Sequence, residues 1–143
     1  MAKGVARAQP RPVPGAGTAP ERSARGDQAS DVPRNVLIVL TNCPDEATAE
    51  RIRRELVAAR LAACVNQLSA VRSTYHCQGK VEETTEVPLL IKTTRERYPA
   101  LEARLRQLHP YTVPEIVVVP VETGCPDYLL WVIEETSVGA GTL

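Results

Sequence analysis

The sequence predicts an α+β fold of the ferredoxin-like kind, a split βαβ arrangement in the order β-α-β-β-α-β-α with an extended hairpin. Three observations lead there. The apolar runs Val36-Leu37-Ile38-Val39-Leu40 and Ile116-Val117-Val118-Val119 have the length of buried strands. Two segments, starting near Ala49 and Tyr98, repeat apolar residues at helical spacing. Between them the chain turns back at Gln78-Gly79, as a long hairpin does.

Residues 1–33 hold five of the twelve prolines and four of the eight glycines, with few large apolar side chains. Such a segment buries too little surface to offset the entropy of ordering it, so a disordered tail is expected over 1–33, a folded domain over 34–138 and a flexible C-terminus over 139–143. The first apolar run reads as a strand covered on both faces or buried in an interface. Thr41-Asn42-Cys43-Pro44-Asp45-Glu46 reads as the start of a helix, with Pro44 near its first position and acids in the first turn. Ala49, Ile52, Leu56 and Ala59 form the apolar stripe of that helix. Arg51, Arg53, Arg54 and Glu55 fall between them as a solvated face.

Residues 61–68 lead into a second strand. Residues 71–77 and 80–92 form the two arms of the hairpin. Pro88 has no N–H for a ladder, which predicts a strand start, a bulge or a locally unpaired edge there. Thr93-Thr94 can cap the next helix, whose stripe is Tyr98, Leu101, Leu105 and Leu108, with Pro99 in the first turn. A strand follows at 115–121. Gly124-Cys125-Pro126-Asp127 then turns into a short last helix carrying Tyr128, Leu129, Trp131, Val132 and Ile133. Two helices cover only one face of such a sheet. Because the strands are apolar on both faces, association with further copies of the chain is expected to cover the other.

Composition narrows the function. Lys plus Arg and Asp plus Glu balance at 17 each, so the whole chain offers no field that would draw in nucleic acid. No apolar run approaches the length of a membrane span, and the first thirty residues lack the apolar stretch of a signal peptide. The four cysteines, Cys43, Cys64, Cys77 and Cys125, contain no CxxC pair, which points away from a zinc ribbon, a thioredoxin motif or a disulfide framework. A cytoplasmic protein with reduced thiols is expected. No GxSxG, HExxH or Cys-His signature supports an enzyme.

The densest chemistry lies in His109-Pro110-Tyr111-Thr112-Val113-Pro114-Glu115, where the second helix passes into a strand. Two prolines stiffen the connector, and it carries an imidazole, a phenol and a carboxylate. As isolated chemistry it also reads as a helix stop.

Six segments in register resemble the CutA divalent-cation tolerance family. They are Pro44-Asp45-Glu46-Ala47-Thr48-Ala49, Arg60-Leu61-Ala62-Ala63-Cys64-Val65-Asn66, Gly79-Lys80-Val81-Glu82-Glu83, Leu90-Ile91-Lys92-Thr93-Thr94, the connector with Ile116, and Tyr128-Leu129-Leu130-Trp131-Val132. The resemblance runs from about Asn35 to Glu134. It implies a ferredoxin-like subunit assembled as a homotrimer through its sheets, an architecture shared with PII signalling proteins, and no catalytic reaction. It also implies a role in tolerance of copper and other divalent metals. The expected function is therefore a trimeric metal-response protein with modest binding of Cu or another divalent cation. The alternative is a PII-like ligand-sensing module acting on an unidentified protein partner.

Within the resemblance His109 is the candidate metal ligand, since imidazole suits Cu and Zn. Some bacterial relatives have a cysteine near the end of the first strand and two adjacent histidines before Pro-Tyr; here Thr41 and Leu108 occupy those positions. Cys43, two residues past Thr41, is the remaining thiol candidate. Cys64 reads as a small core residue, and the neighbours His76 and Cys77 point to opposite faces of a strand. Lys80, Glu83, Glu86, Lys92, Tyr111, Glu115, Tyr128 and Trp131 form the candidate intersubunit cleft, either as salt bridges and an aromatic latch or as a ligand pocket.

Overall fold

The first apolar run becomes the central strand of a sheet. In the computed structural model, which describes residues 32–138, β1 (Val36–Cys43) pairs antiparallel along its whole length with β4 (Lys80–Thr94), from Val36 opposite Thr94 to Cys43 opposite Val87. Its other side pairs with the edge strand β5 (Val117–Pro120). β2 (Cys64–Gln67) lies on the far side of β4, and β3 (Val71–Cys77) pairs with the first half of β4 beyond the end of β2. The sheet order is β2-β4-β1-β5, so β1 and β2, joined by a helix, are split by β4 between them. This is the ferredoxin-like arrangement. The expected tail over 1–33 and the end over 139–143 fall outside the described residues, apart from Val32 and Pro33.

Side-chain alternation gives the sheet two different faces. Val39 and Cys43 of β1 and Val87, Leu89 and Ile91 of β4 point to one face. There they pack with Ala49, Ile52 and Leu56 of α1 (Glu46–Ala58) and Leu101 and Leu105 of α2 (Tyr98–Leu108). All ten are buried. Each large aliphatic side chain among them is worth about 1.5–3 kcal/mol of burial. Val36, of opposite parity, points to the second face. It packs there against Leu129 and Val132 of α3 (Pro126–Thr136), together with Ala63. The last helix therefore covers one end of the second face and leaves the rest open. Ile38, Leu40 and Leu90 are half-buried on that open part. Val117 and Val119, their neighbours on β5, are 46% and 45% exposed.

Several local expectations are corrected. The helix does not start in Thr41-Asn42-Cys43. Asn42 and Cys43 find partners in Pro88 and Val87, so β1 runs through them. Asp45 is the N-cap, accepting from the Thr48 N–H at 2.7 Å, and Pro44 stands outside the helix. Ala59 is the exposed C-cap, not part of the buried stripe. Thr93 and Thr94 do not cap α2. They remain in β4, and the buried Thr93 hydroxyl donates to the Leu61 carbonyl at 2.7 Å. Arg97 is the N-cap residue of α2 without a side-chain capping bond. The strand expected at 115–121 is reduced to Val117–Pro120, paired with Leu37–Leu40, and beyond it the Val121 N–H still donates to the Val36 carbonyl at 3.0 Å.

Pro88 is neither at a strand end nor in a bulge, and its position shows why it is tolerated. In an antiparallel strand the N and O of one residue point to the same side. The Pro88 carbonyl accepts from the Leu68 N–H at 3.0 Å, on the side of β4 away from β1. Its missing N–H therefore falls where β4 changes partner, between Leu89 opposite Gln67 and Glu86 opposite Val71. No β1 hydrogen bond is lost. At the hairpin tip Gln78 and Gly79 both take positive φ, 50° and 78°, the conformation a tight two-residue turn needs.

The charged run on α1 is more than a solvated face. Arg51 donates to the Leu108 carbonyl at 3.1 Å and so caps the C-terminus of α2. Arg53 donates to the Gln67 side chain at 2.9 Å, and Glu55 pairs with Arg104 of α2. Reciprocally, Arg97 donates to the carbonyls of Arg60 and Ala59 at the end of α1. The two helices are thus tied by side chains that satisfy each other's orphan carbonyls.

Candidate functional site

The connector after α2 is fixed by its own histidine. His109 is buried, and it is the C-cap residue of α2. The backbone N–H of Tyr111 donates to Nδ1 at 3.2 Å, so Nδ1 must be the unprotonated nitrogen. Nε2 therefore carries the hydrogen and donates to the Asn42 carbonyl of β1 at 2.7 Å. Both ring nitrogens are engaged, and the imidazole holds the connector to the end of the central strand. The Tyr111 ring lies 4.7 Å from the imidazole, tilted by 53°.

From that anchor the connector turns across the second face. The Tyr111 hydroxyl donates to Oε2 of Glu86 at 3.1 Å. Glu115 accepts from Nδ2 of Asn42 at 2.9 Å, two positions beyond the last β1–β5 pair, Leu40 and Val117. Ser73 and Tyr75 stand on β3 with the same parity as Glu86, since Val71 is its partner. Together Asn42, Ser73, Tyr75, Glu86, Tyr111 and Glu115 line a cavity of about 620 Å³, with Thr74 and Val113 completing its wall. Glu86 is only 8% exposed. Neither it nor Glu115 belongs to an ion pair among the described residues.

The electrostatics follow from this crowding. Burial pushes the Tyr111 phenol up to about 12, reinforced by its bond to Glu86 and by that carboxylate's charge. Burial also raises the Cys43 thiol to about 11, with Asp45 and Glu86 adding to the shift. Cys43 is fully buried on the helical face and remains a neutral thiol near neutral pH, a poor metal ligand. Thr41 shares that face, and its hydroxyl is buried without a hydrogen-bond partner among the described residues.

The eight residues expected in one cleft fall into separate places. Glu86, Tyr111 and Glu115 meet in the cavity. Tyr128 and Trp131 lie at the other end of the second face, on α3, with ring centroids 5.7 Å apart. Cys64 sits there too, half-buried, its Sγ 3.8 Å from the Tyr128 hydroxyl and its backbone opposite Lys92. Burial, then Cys64, lifts the Tyr128 phenol to about 12. Lys80 is at the hairpin tip opposite Cys77, and Glu83 is exposed on the arm opposite Thr74. Among the described residues no three His, Cys, Asp or Glu side chains are grouped so that they could hold a metal ion. The donor set of a single subunit does not fit a chelated cation. Asn42, Ser73 and Tyr75 were not among the expected site residues. Their signal was the strand register, which places them beside Glu86 and Glu115 once the pairing is known.

Comparison with known proteins gives a consistent answer. Residues 37–135 match the family described as CutA1 divalent ion tolerance protein. The chain is 40% identical to Protein CutA of Mus musculus over 99% of its own length and 74% of that protein. It is 48% identical to the divalent-cation tolerance protein CutA of Thermus thermophilus over 69% of its length and 96% of that one. The crystal structure of CutA from Xylella fastidiosa superposes with a TM-score of 0.71 at 48% identity, covering 72% of this chain and 99% of that one.

Proposed function

Because the chain belongs to the CutA divalent-cation tolerance family, we propose that it serves in the response to divalent metal ions as a non-catalytic homotrimer, binding copper or another divalent cation only weakly. The family match along the whole sheet and all three helices carries this reading. The trimer is supported by the open second face, where Val117 and Val119 are nearly half exposed beside Ile38, Leu40 and Leu90. Weak binding follows from the donors: His109 would have to give up a hydrogen bond to take a metal, and Cys43 is buried and protonated. A metal held more tightly would need ligands from more than one subunit. Four free thiols suit a reducing compartment, and the cytoplasm is the proposed location.

Calorimetric titration of the full chain with Cu(II), Cu(I) and Zn(II), alongside light scattering, tests the proposal. A trimer with weak metal binding that is insensitive to His109→Ala is the expected result. A stable monomer overturns the assembly, and tight one-to-one binding lost in His109→Ala overturns the account of the donors.

A further inference from the structure

We infer that His109 is an acid-released latch: a proton on Nδ1 breaks its bond to the Tyr111 backbone and frees the connector 110–115 while the sheet and helices stay folded. The inference starts from the order of the residues. Pro110 leaves no N–H directly after the histidine, so Tyr111 carries the first donor that can reach back. It donates to Nδ1 at 3.2 Å, and that bond lasts only while the nitrogen keeps its lone pair. Protonation turns the acceptor into a donor and sets two N–H groups against each other. The other ring nitrogen responds in the opposite sense. Nε2–H already donates to the Asn42 carbonyl at 2.7 Å, and a positive ring strengthens that bond. The imidazolium therefore stays on β1 and lets go of the connector. The closed form has no proton on Nδ1 and the open form takes one, so falling pH shifts the balance towards the open form.

Little else holds the connector. Pro110, Tyr111, Thr112 and Val113 are exposed, and among the described residues no backbone–backbone hydrogen bond involves 110–115. Two side-chain bonds remain, Tyr111 to Glu86 at 3.1 Å and Asn42 to Glu115 at 2.9 Å. A segment with so few ties opens locally at a small fraction of the cost of unfolding. The titratable and charged groups around the clamp come from every neighbouring element. On α1, Arg51 reaches the Leu108 carbonyl and Asp45 is the N-cap. On β1, Cys43 is a neutral thiol on the helical face. Glu86 on β4, Tyr75 on β3, and Tyr111 and Glu115 of the connector itself complete the set. Neither ring nitrogen bonds a carboxylate, so none of these groups is placed to keep a proton on Nδ1 with the latch closed. Because Tyr111, Val113 and Glu115 wall the cavity, release opens that end of the second face.

Selective isotopic labelling of histidine and tyrosine nitrogens in the full chain tests the latch by NMR, since there are two histidines and four tyrosines to resolve. At about pH 8 the His109 ring is expected as the Nε2–H tautomer, with a slowly exchanging Tyr111 amide. Towards about pH 5, the range in which histidines charge, the ring is expected to become imidazolium. Protection of the Tyr111 amide, corrected for the intrinsic pH dependence of exchange, should then fall by at least about tenfold with unchanged circular dichroism. His109→Asn supplies a side-chain oxygen that accepts from the N–H two residues on and does not titrate, so it is expected to keep Tyr111 protected at both pH values. Glu86 is the rival acid-sensitive group, and Glu86→Gln is expected to leave the transition in place. A Tyr111 amide still protected once His109 is charged would overturn the inference. So would a ring that stays neutral until the whole chain unfolds, the same fall in His109→Asn, or a transition abolished by Glu86→Gln. The first two outcomes need no variant, so a folding defect in either variant leaves the test decisive.

Discussion

Tyr111 donates its backbone N–H to Nδ1 of His109, two residues before it. That single bond fixes the tautomer, and the tautomer directs Nε2–H to the Asn42 carbonyl. The side chain that looked most like a metal ligand is thereby used as a clamp between a helix end and the central strand. His109→Ala removes both bonds and leaves a buried carbonyl and an N–H to find water. A loss of about 1–3 kcal/mol is expected in urea unfolding. An unchanged midpoint would show that the Tyr111–Glu86 bond alone holds the connector.

Thr41 offers a test in the opposite direction. Its hydroxyl is buried, faces the helical core and has no hydrogen-bond partner among the described residues. Valine has nearly the same shape and no polar atom to desolvate. Thr41→Val is expected to stabilise the protein by about 1 kcal/mol, seen as a higher urea midpoint with an unchanged slope. A drop in stability would mean that the hydroxyl is satisfied by a bound water.

These residues also show where sequence reading stops. The apolar runs and stripes found β1, α1, α2 and α3 because periodicity is local information. The hairpin was legible from Gln78-Gly79, whose positive φ values the turn demands. The tolerance of Pro88 was not, because it depends on β4 changing partner at that residue. The candidate site was half legible. Tyr111 and Glu115 stand in a recognisable segment and Glu86 on the expected hairpin arm, whereas Asn42 and Tyr75 join them only through strand register. Tyr128 and Trp131 fall at the opposite end of the same face, a separation that no spacing along the chain encodes.

High pH should unfold the protein through three acids held neutral. The Tyr111 and Tyr128 phenols rise from 10.0 to about 12, and the Cys43 thiol from 9.0 to about 11. In the unfolded chain these groups lose their protons at the lower values, so between pH 9 and 12 the unfolded state binds fewer protons than the folded one. Stability is then fully present below pH 9 and falls as pH rises through the folded values. Tyr128→Phe is expected to flatten this fall, followed by Trp131 fluorescence, because the two rings are in contact. A fall of the same steepness in Tyr128→Phe would show that its phenol does not contribute.

The open second face yields the most direct test of assembly. Val119 stands opposite Ile38 and Val117 opposite Leu40, so the four side chains form one apolar patch on β1 and β5. Both valines remain nearly half exposed in the subunit. If copies meet through this patch, Val119→Asp places a carboxylate in a buried contact, where an unpaired charge costs several kcal/mol. The subunit itself loses little, since the position faces outward. Light scattering should therefore show the mass falling from trimer to monomer with helix and strand content retained. Val57→Asp is the matched control. Val57 is 41% exposed on α1, away from the patch, and should leave the mass unchanged. A Val119→Asp protein that remains trimeric would move the interface elsewhere, with the outer arm of the hairpin as the next surface to probe.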